Sequence, residues 1–134
     1  MLNVKKILIG VICVVVLGFV FFGGKYVYSV QRYKNIIKDI KIDTIDLSKV
    51  SDGKYIGACD AEVIGAKVAV TVKNHKIINI NLLEHKTERG KPAEVIPGKV
   101  VKAQSLQVDT ITGATNSSKV ILKSIENALN SGKS

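Results

Sequence analysis

Ala66-Lys67-Val68-Ala69-Val70-Thr71-Val72-Lys73 is followed, after Asn74-His75, by Lys76-Ile77-Ile78-Asn79-Ile80-Asn81-Leu82-Leu83. In an extended chain successive side chains point to opposite faces. Ala66, Val68, Val70 and Val72 therefore share one face, with Lys67, Ala69, Thr71 and Lys73 on the other, and Ile78, Ile80 and Leu82 alternate with Asn79 and Asn81. Two half-buried strands joined by two residues predict a β-hairpin. A two-residue turn needs positive φ, which Asn and His tolerate better than most residues, so the turn accounts for His75 without a catalytic role.

Upstream of the hairpin, Asp52-Gly53 opens a further strand over Lys54 to Cys59. Downstream, Glu84-His85-Lys86-Thr87-Glu88-Arg89-Gly90 is a polar loop, and Lys91-Pro92-Ala93-Glu94 starts a helix with proline in its first turn. Pro97-Gly98 kinks or splits that helix, leaving a second short helical piece with Val100, Val101 and Leu106 as its apolar surface. Leu122, Ile125 and Leu129 recur at i, i+3 and i+7 and predict an amphipathic helix from about Ser117 to Asn130. The expected class is α+β: a small antiparallel-rich sheet with short helices, including a C-terminal helix, preceded by one N-terminal transmembrane helix. The expected division is an anchor over 1–25, a juxtamembrane helix and linker over 26–51, and one globular domain over 52–131.

The anchor is read from Ile7 to Gly24, eighteen residues without a charge. As a helix they extend about 27 Å, close to the roughly 30 Å of a bilayer's hydrocarbon core. Phe19-Val20-Phe21-Phe22-Gly23-Gly24-Lys25 carries no Ala-x-Ala cleavage pattern, which favours an uncleaved anchor over a signal peptide. Cys13 lies in this run without a lipobox, and reads as an ordinary helix cysteine. Lys5 and Lys6 precede the run, while Lys25, Arg32, Lys34 and Lys38 come after it, a local count that favours a cytoplasmic C-terminal side. The rule loses force for long translocated segments, and 110 residues lie beyond Gly24. From Tyr26 to Ile42, Val30, Tyr33, Ile37 and Ile40 fall at helical spacing among basic residues, a stalk that either touches anionic headgroups or serves as a solvated spacer.

The 134 residues carry a formal charge of +9, and 18 basic against 11 acidic residues remain after residue 6. Such a surplus suits anionic partners. With 5% aromatic residues and no tryptophan, the chain lacks the stacking platform of a single-stranded nucleic-acid binder, and no nucleic acid is expected. Two cysteines far apart exclude a disulfide framework and a CxxC metal site.

Val108-Asp109-Thr110-Ile111-Thr112-Gly113-Ala114-Thr115-Asn116-Ser117-Ser118 is a short extended piece running into small and hydroxylated residues at a helix mouth. Unpaired N–H groups and the positive end of the macrodipole make such a mouth a ready phosphate site. Gly113 and Ala114 allow close approach to the backbone, and Thr112, Thr115, Ser117 and Ser118 offer hydroxyls. On these grounds alone Thr115, Asn116 or Ser117 could equally be no more than the cap of the last helix.

Asp109-Thr110-Ile111-Thr112-Gly113-Ala114-Thr115 resembles the Asp-x-x-Ser/Thr-Gly-Ala-Thr flavinylation motif of FMN-binding domains. That family includes the C subunit of sodium-pumping NADH:quinone reductase and the G subunit of the Rnf complex. Asp52-Gly53-Lys54-Tyr55-Ile56-Gly57 resembles its opening strand, the 66–83 hairpin its core strands, and Glu84-His85-Lys86 with Gly90 its flavin-side loop. The resemblance implies an FMN-binding domain over 52–131 with FMN linked covalently to Thr115 through a phosphoester. A separate flavin transferase, using FAD and a divalent cation, would attach it. Asp109, Thr112, Gly113 and Ala114 match the rest of the recognition motif, and Ser117 and Ser118 would be supporting donors or helix caps. Larger members carry a Thr-Pro-Gly-Leu-Gly-like stretch where this chain has Thr87-Glu88-Arg89-Gly90-Lys91-Pro92. The family's loop contacts carry over to His85, Thr87 and Gly90, with His85 equally readable as an ordinary strand-end histidine. A positive group at His85 or Lys86 beside the flavin would raise its potential.

The function implied is a single-pass, membrane-anchored, extracytoplasmic flavoprotein that relays electrons. Its partners would be the transferase and a membrane redox system, either a quinone reductase or an ion-pumping complex. The chain lacks a GxGxxG fingerprint, a CxxC redox pair and a haem or iron–sulfur ligand set, which favours a carrier or subunit over a stand-alone enzyme. The alternatives are an anchored module that binds anionic polymers or lipids, and a flavin reductase with reversibly bound FMN.

Overall fold

The structure, a computed structural model, describes residues 3–87 and 89–133. Glu88 of the polar loop lies outside the described residues.

Helix α1 (Val4–Asp39) runs 36 residues without a break, about 54 Å at 1.5 Å per residue. Asn3 caps it by accepting a hydrogen bond from the Lys5 N–H at 3.2 Å. Its N-terminal half is apolar all round, and the rest of the protein covers none of the most apolar window. A helix of that kind needs a surrounding apolar medium. This one is long and apolar enough to cross a membrane. Its C-terminal end departs from a spacer: Ile37 joins the core of the globular part, and Tyr33, Ile36 and Ile40 pack against that core.

Residues 40–52 also belong to the fold. A 3₁₀ turn at Leu47–Lys49 is capped by Asp46, and Val50 is fully buried and bridges to Lys133. Strands β1 (Gly53–Asp60), β2 (Gly65–Lys73) and β3 (Lys76–Lys86) form an antiparallel sheet in the order β1-β2-β3. Asn74 and His75 have φ of 52° and 60°, as a two-residue turn with positive φ at both positions demands. The His75 ring lies 3.3 Å from the carbonyl oxygens of Leu47 and Val50, so it also braces the connector.

The strict alternation expected along β3 does not hold. Thr71 pairs with Asn79 and Val72 with Ile77, leaving Ile78 as an extra residue. In the same way Lys67 pairs with Glu84 and Val68 with Leu82, leaving Leu83 extra. Each β-bulge shifts the side-chain phase by one. Ile77 is therefore buried in place of Ile78, which is exposed, and Leu83 is exposed as well. The second bulge turns His85, paired with Ala66, onto the same face as Val68 and Val70.

That face carries the helices. A 3₁₀ turn (Lys91–Val95) leads into α2 (Ile96–Ala103), with Pro97 in its first turn, where a missing N–H removes no helical bond. Helix α2 packs against β3, and α3 (Thr115–Ser131) lies across β1 and β2. A Cβ on Gly57 would collide with the backbone of Ser124 and Ala128, so α3 sits directly on the first strand. Ile96, Val100, Val120, Ile121, Ile125 and Leu129 fill the space between the layers. Helix α3 begins two residues earlier than its apolar spacing predicts, which places Thr115, Asn116 and Ser117 in its first turn.

Candidate functional site: a cavity at the mouth of the last helix

Ala114, at the N-cap of α3, has a methyl group that caps nothing. The tie that holds the preceding turn comes from inside the helix. Ser118 Oγ donates to the Ala114 carbonyl at 2.8 Å and accepts from the Ile111 N–H at 3.0 Å. Ala114 N–H closes the turn onto the Ile111 carbonyl at 2.9 Å. Gly113 reaches φ +80° within it, with open space where a Cβ would point. The first helical bond runs from Ser118 N–H to Ala114. Helix geometry thus leaves the N–H groups of Thr115, Asn116 and Ser117 without a carbonyl one turn back. None of the residues read as possible caps performs that role, and the Thr115 side chain is exposed.

Opposite this mouth stands the loop after β3. Ser117 Oγ lies 3.2 Å from His85 Nε2 and 3.1 Å from Thr87 Oγ1, and Thr87 Oγ1 accepts from the Gly90 N–H at 2.8 Å. A Cβ on Gly90 would overlap the hydroxyls of Ser117 and Thr87, so only glycine lets loop and helix meet here. The His85 side chain is 4% exposed and lies 4.0 Å through Nδ1 from Glu94 Oε2, beyond hydrogen-bond reach. Its buried Nδ1 has no hydrogen-bond partner among the described residues.

Between loop and helix lies a cavity of about 350 Å³. Thr87, Gly90, Gly113, Ala114, Thr115 and Ser117 line it, and His85 stands one hydrogen bond behind it. The structure places Thr112 on the exposed outer side of the turn. Asp109 is exposed beside a different surface cavity, shared with Ile40, Ile42 and Lys119. Five further residues line the site and escaped sequence reading: Tyr33, Val63, Ile64, Arg89 and Asn116. Arg89 and Asn116 adjoin the motif and loop already singled out, and their polar groups were the available signal. Tyr33, Val63 and Ile64 arrive from α1 and from the β1–β2 connection, where nothing local marks them.

The arrangement defines a partly apolar cavity at a helix N-terminus, where N–H donors suit an anion, in a small α+β domain. The model of the FMN-binding domain family matches residues 64–130, and the chain belongs to that family. No curated protein matches the chain. An FMN-binding domain behind an N-terminal apolar helix fits a membrane-anchored FMN-binding protein.

The residues present suit FMN. The helix mouth and the Arg89 guanidinium offer donors to a phosphate. The Gly90 contact removes side-chain bulk from the wall, and His85 Nε2 stands behind the Ser117 hydroxyl that lines it. Val63, Ile64 and Tyr33 supply apolar surface for a ring system.

Proposed function

We propose that this chain is an electron-transfer flavoprotein carrying FMN on Thr115, with its globular domain on the extracytoplasmic side of the membrane. The observation that carries the covalent reading is Thr115 itself. Thr115 is exposed at the first turn of α3 and lines the cavity, while the structural duties of that turn fall to Ser118. Attachment forms a bond from Thr115 Oγ1 to the phosphorus of the FMN half of FAD. The pyrophosphate bond breaks, AMP leaves, and the hydroxyl proton passes to solvent or to a base of the transferase. The N–H groups of the first turn would hold the phosphodiester and offset its charge.

Bound FMN supplies reversible acceptance of one or two electrons. The protein's part is to hold and orient it. Ser117, Thr87 and the Gly90 N–H fix the loop against the helix, and His85 offers a polar atom behind Ser117. Asp109, exposed on the approach to the turn, is available to the transferase and not to the cavity. The redox partner in this reading is a membrane-bound quinone reductase or an ion-pumping complex. Covalent attachment suits an outer membrane face, where dissociated FMN would be lost to the medium.

Co-expression with a flavin transferase and then a denaturing gel tests the attachment. The wild-type band is expected to fluoresce and the Thr115→Val band to be dark. A dark wild-type band would overturn the covalent reading, and FMN released on denaturation would favour reversible binding. A reporter fused after the globular domain tests the side, and activity of a cytoplasm-only reporter would overturn the placement.

A further inference from the structure

Helix α1 ends as a wall of the cavity. Tyr33, Ile36 and Ile37 stand at i, i+3 and i+4, one face of the helix, and that face, continued by Ile40 at the C-cap, packs on the globular core with Ile37 only 6% exposed. Polar contacts hold the same stretch. Arg32 Nε lies 2.9 Å from Glu62 Oε1, on the connection that also supplies Val63 and Ile64 to the cavity. Lys123 Nζ on α3 donates to the Lys41 carbonyl at 3.1 Å. Asn116 Nδ2 donates to the Tyr33 hydroxyl at 2.9 Å, and Asn116 is the residue after Thr115. Tyr33 thus lines the cavity while its hydroxyl is tied to the turn that presents Thr115.

We propose that Tyr33, on the membrane helix, is a flavin-contacting residue, and that the cofactor site is complete only when α1 is docked on the domain. The inference rests on the placement of FMN at Thr115. The cavity has two chemical sides. Hydroxyls and first-turn N–H groups lie at the helix mouth, while Tyr33, Val63 and Ile64 form an apolar and aromatic side. A phosphate suits the first side and a planar, partly apolar ring system the second, because aromatic rings attract one another in stacked or edge-on contact. Tyr33 lies nine residues beyond Gly24, the end of the uncharged run, about 14 Å along the helix. The ring side of the site is therefore held near the membrane surface by the anchor itself, suited to a partner embedded in the membrane.

The test is a thermodynamic cycle on the full chain in detergent, with and without transferase-attached flavin, comparing wild type, Tyr33→Leu, Tyr33→Phe and Ile37→Ala. The denaturing-gel band first reports attachment in each. The rise in Tm on flavin attachment is expected to fall by at least half in Tyr33→Leu and to persist in Tyr33→Phe, which keeps the ring. Iodide quenching of the native flavin fluorescence is expected to increase at least twofold in Tyr33→Leu. Ile37→Ala, which weakens the packing of α1 on the domain, is expected to lower the Tm of both forms and to reduce the flavin-dependent gain as well, and equal losses in both forms would overturn the dependence on docking. Equal Tm losses with and without flavin in Tyr33→Leu, together with unchanged iodide quenching, would overturn the proposal. Should Tyr33→Leu fail to fold, a Tyr33→Phe protein whose flavin is as open to iodide as free FMN would overturn it too. A dark wild-type band is a different failure, that of the attachment at Thr115, and removes this inference with it.

Discussion

Gly90 and Ser117 meet with no room for a side chain between them: a Cβ on Gly90 would overlap the Ser117 hydroxyl and that of Thr87. The same three residues share the hydrogen bonds that join loop and helix at the cavity. Gly90→Ala is expected to destabilise the chain by about 1–3 kcal/mol, as overpacking does in a closed contact. Because the loop must move off α3, the flavin-dependent gain in Tm is expected to shrink as well. Thermal unfolding of both forms checks this, and an unchanged Tm in both would contradict the close contact.

Gln104 ends α2 in the left-handed region, with φ 52°. Its amide works like an added strand. Nε2 donates to the carbonyls of Ile77 and Val101, at 2.7 and 2.6 Å, and Oε1 accepts from the Ile77 N–H at 2.8 Å. This pins β3 beside its first bulge. Gln104→Ala is expected to cost about 2 kcal/mol, through lost bonds to part-buried backbone groups. Gln104→Gly loses the same bonds but removes a left-handed penalty of about 1 kcal/mol. Denaturant midpoints should therefore rank wild type, then Gln104→Gly, then Gln104→Ala.

Glu126 is 2% exposed, with its carboxylate 2.9 Å from Lys123 Nζ. Removing one partner of a buried pair leaves a charge uncompensated. Lys123→Met is expected to cost about 3 kcal/mol, the low end of that effect because Lys123 is partly exposed. The double variant Lys123→Met with Glu126→Leu is expected to regain most of the loss. Urea unfolding of wild type, Lys123→Met, Glu126→Leu and the double variant measures the coupling.

Asp46 accepts hydrogen bonds from the Ser48 hydroxyl at 2.6 Å and from the Ser48 N–H at 3.0 Å. First these bonds, and then the nearby Lys49 and Lys133 charges, hold its carboxyl below the usual value of 3.8. A carboxyl depressed in the folded state stabilises the fold above its unfolded pKa, and that contribution disappears as pH falls through the lower folded value. Asp46→Asn is therefore expected to melt below wild type at pH 7, with the gap closing as pH drops below the carboxylate range. A gap that did not narrow as the pH fell through the carboxylate range would show that charge is not involved.

Much of the site was legible because its parts are local in the chain. The run from Asp109 to Ser118 carries its small residues and hydroxyls together, and a helix mouth needs only neighbouring residues to present N–H groups. What that reading could not supply was the division of labour. Thr115, Asn116 and Ser117 were equal candidates for the cap, and only the backbone path of the turn assigns the structural bonds to Ser118. His85 was readable as a strand-end residue or a site residue. Its inward position depends on a bulge at Leu83 that the β3 sequence does not announce.

By itself the sequence determined what depends on periodicity and composition: the apolar helix, the antiparallel hairpin with its Asn74-His75 turn, the amphipathic last helix and the hydroxyl-rich turn before it. Backbone geometry turns those patterns into elements, whatever lies nearby. Only the tertiary structure decided which face of β3 is buried beyond each bulge, that Gly90 must meet Ser117, and that Tyr33 of the membrane helix lines the cavity beside Asn116. These are contacts between residues up to 83 positions apart. They arise from how the apolar faces pack together, which no single stretch of chain contains.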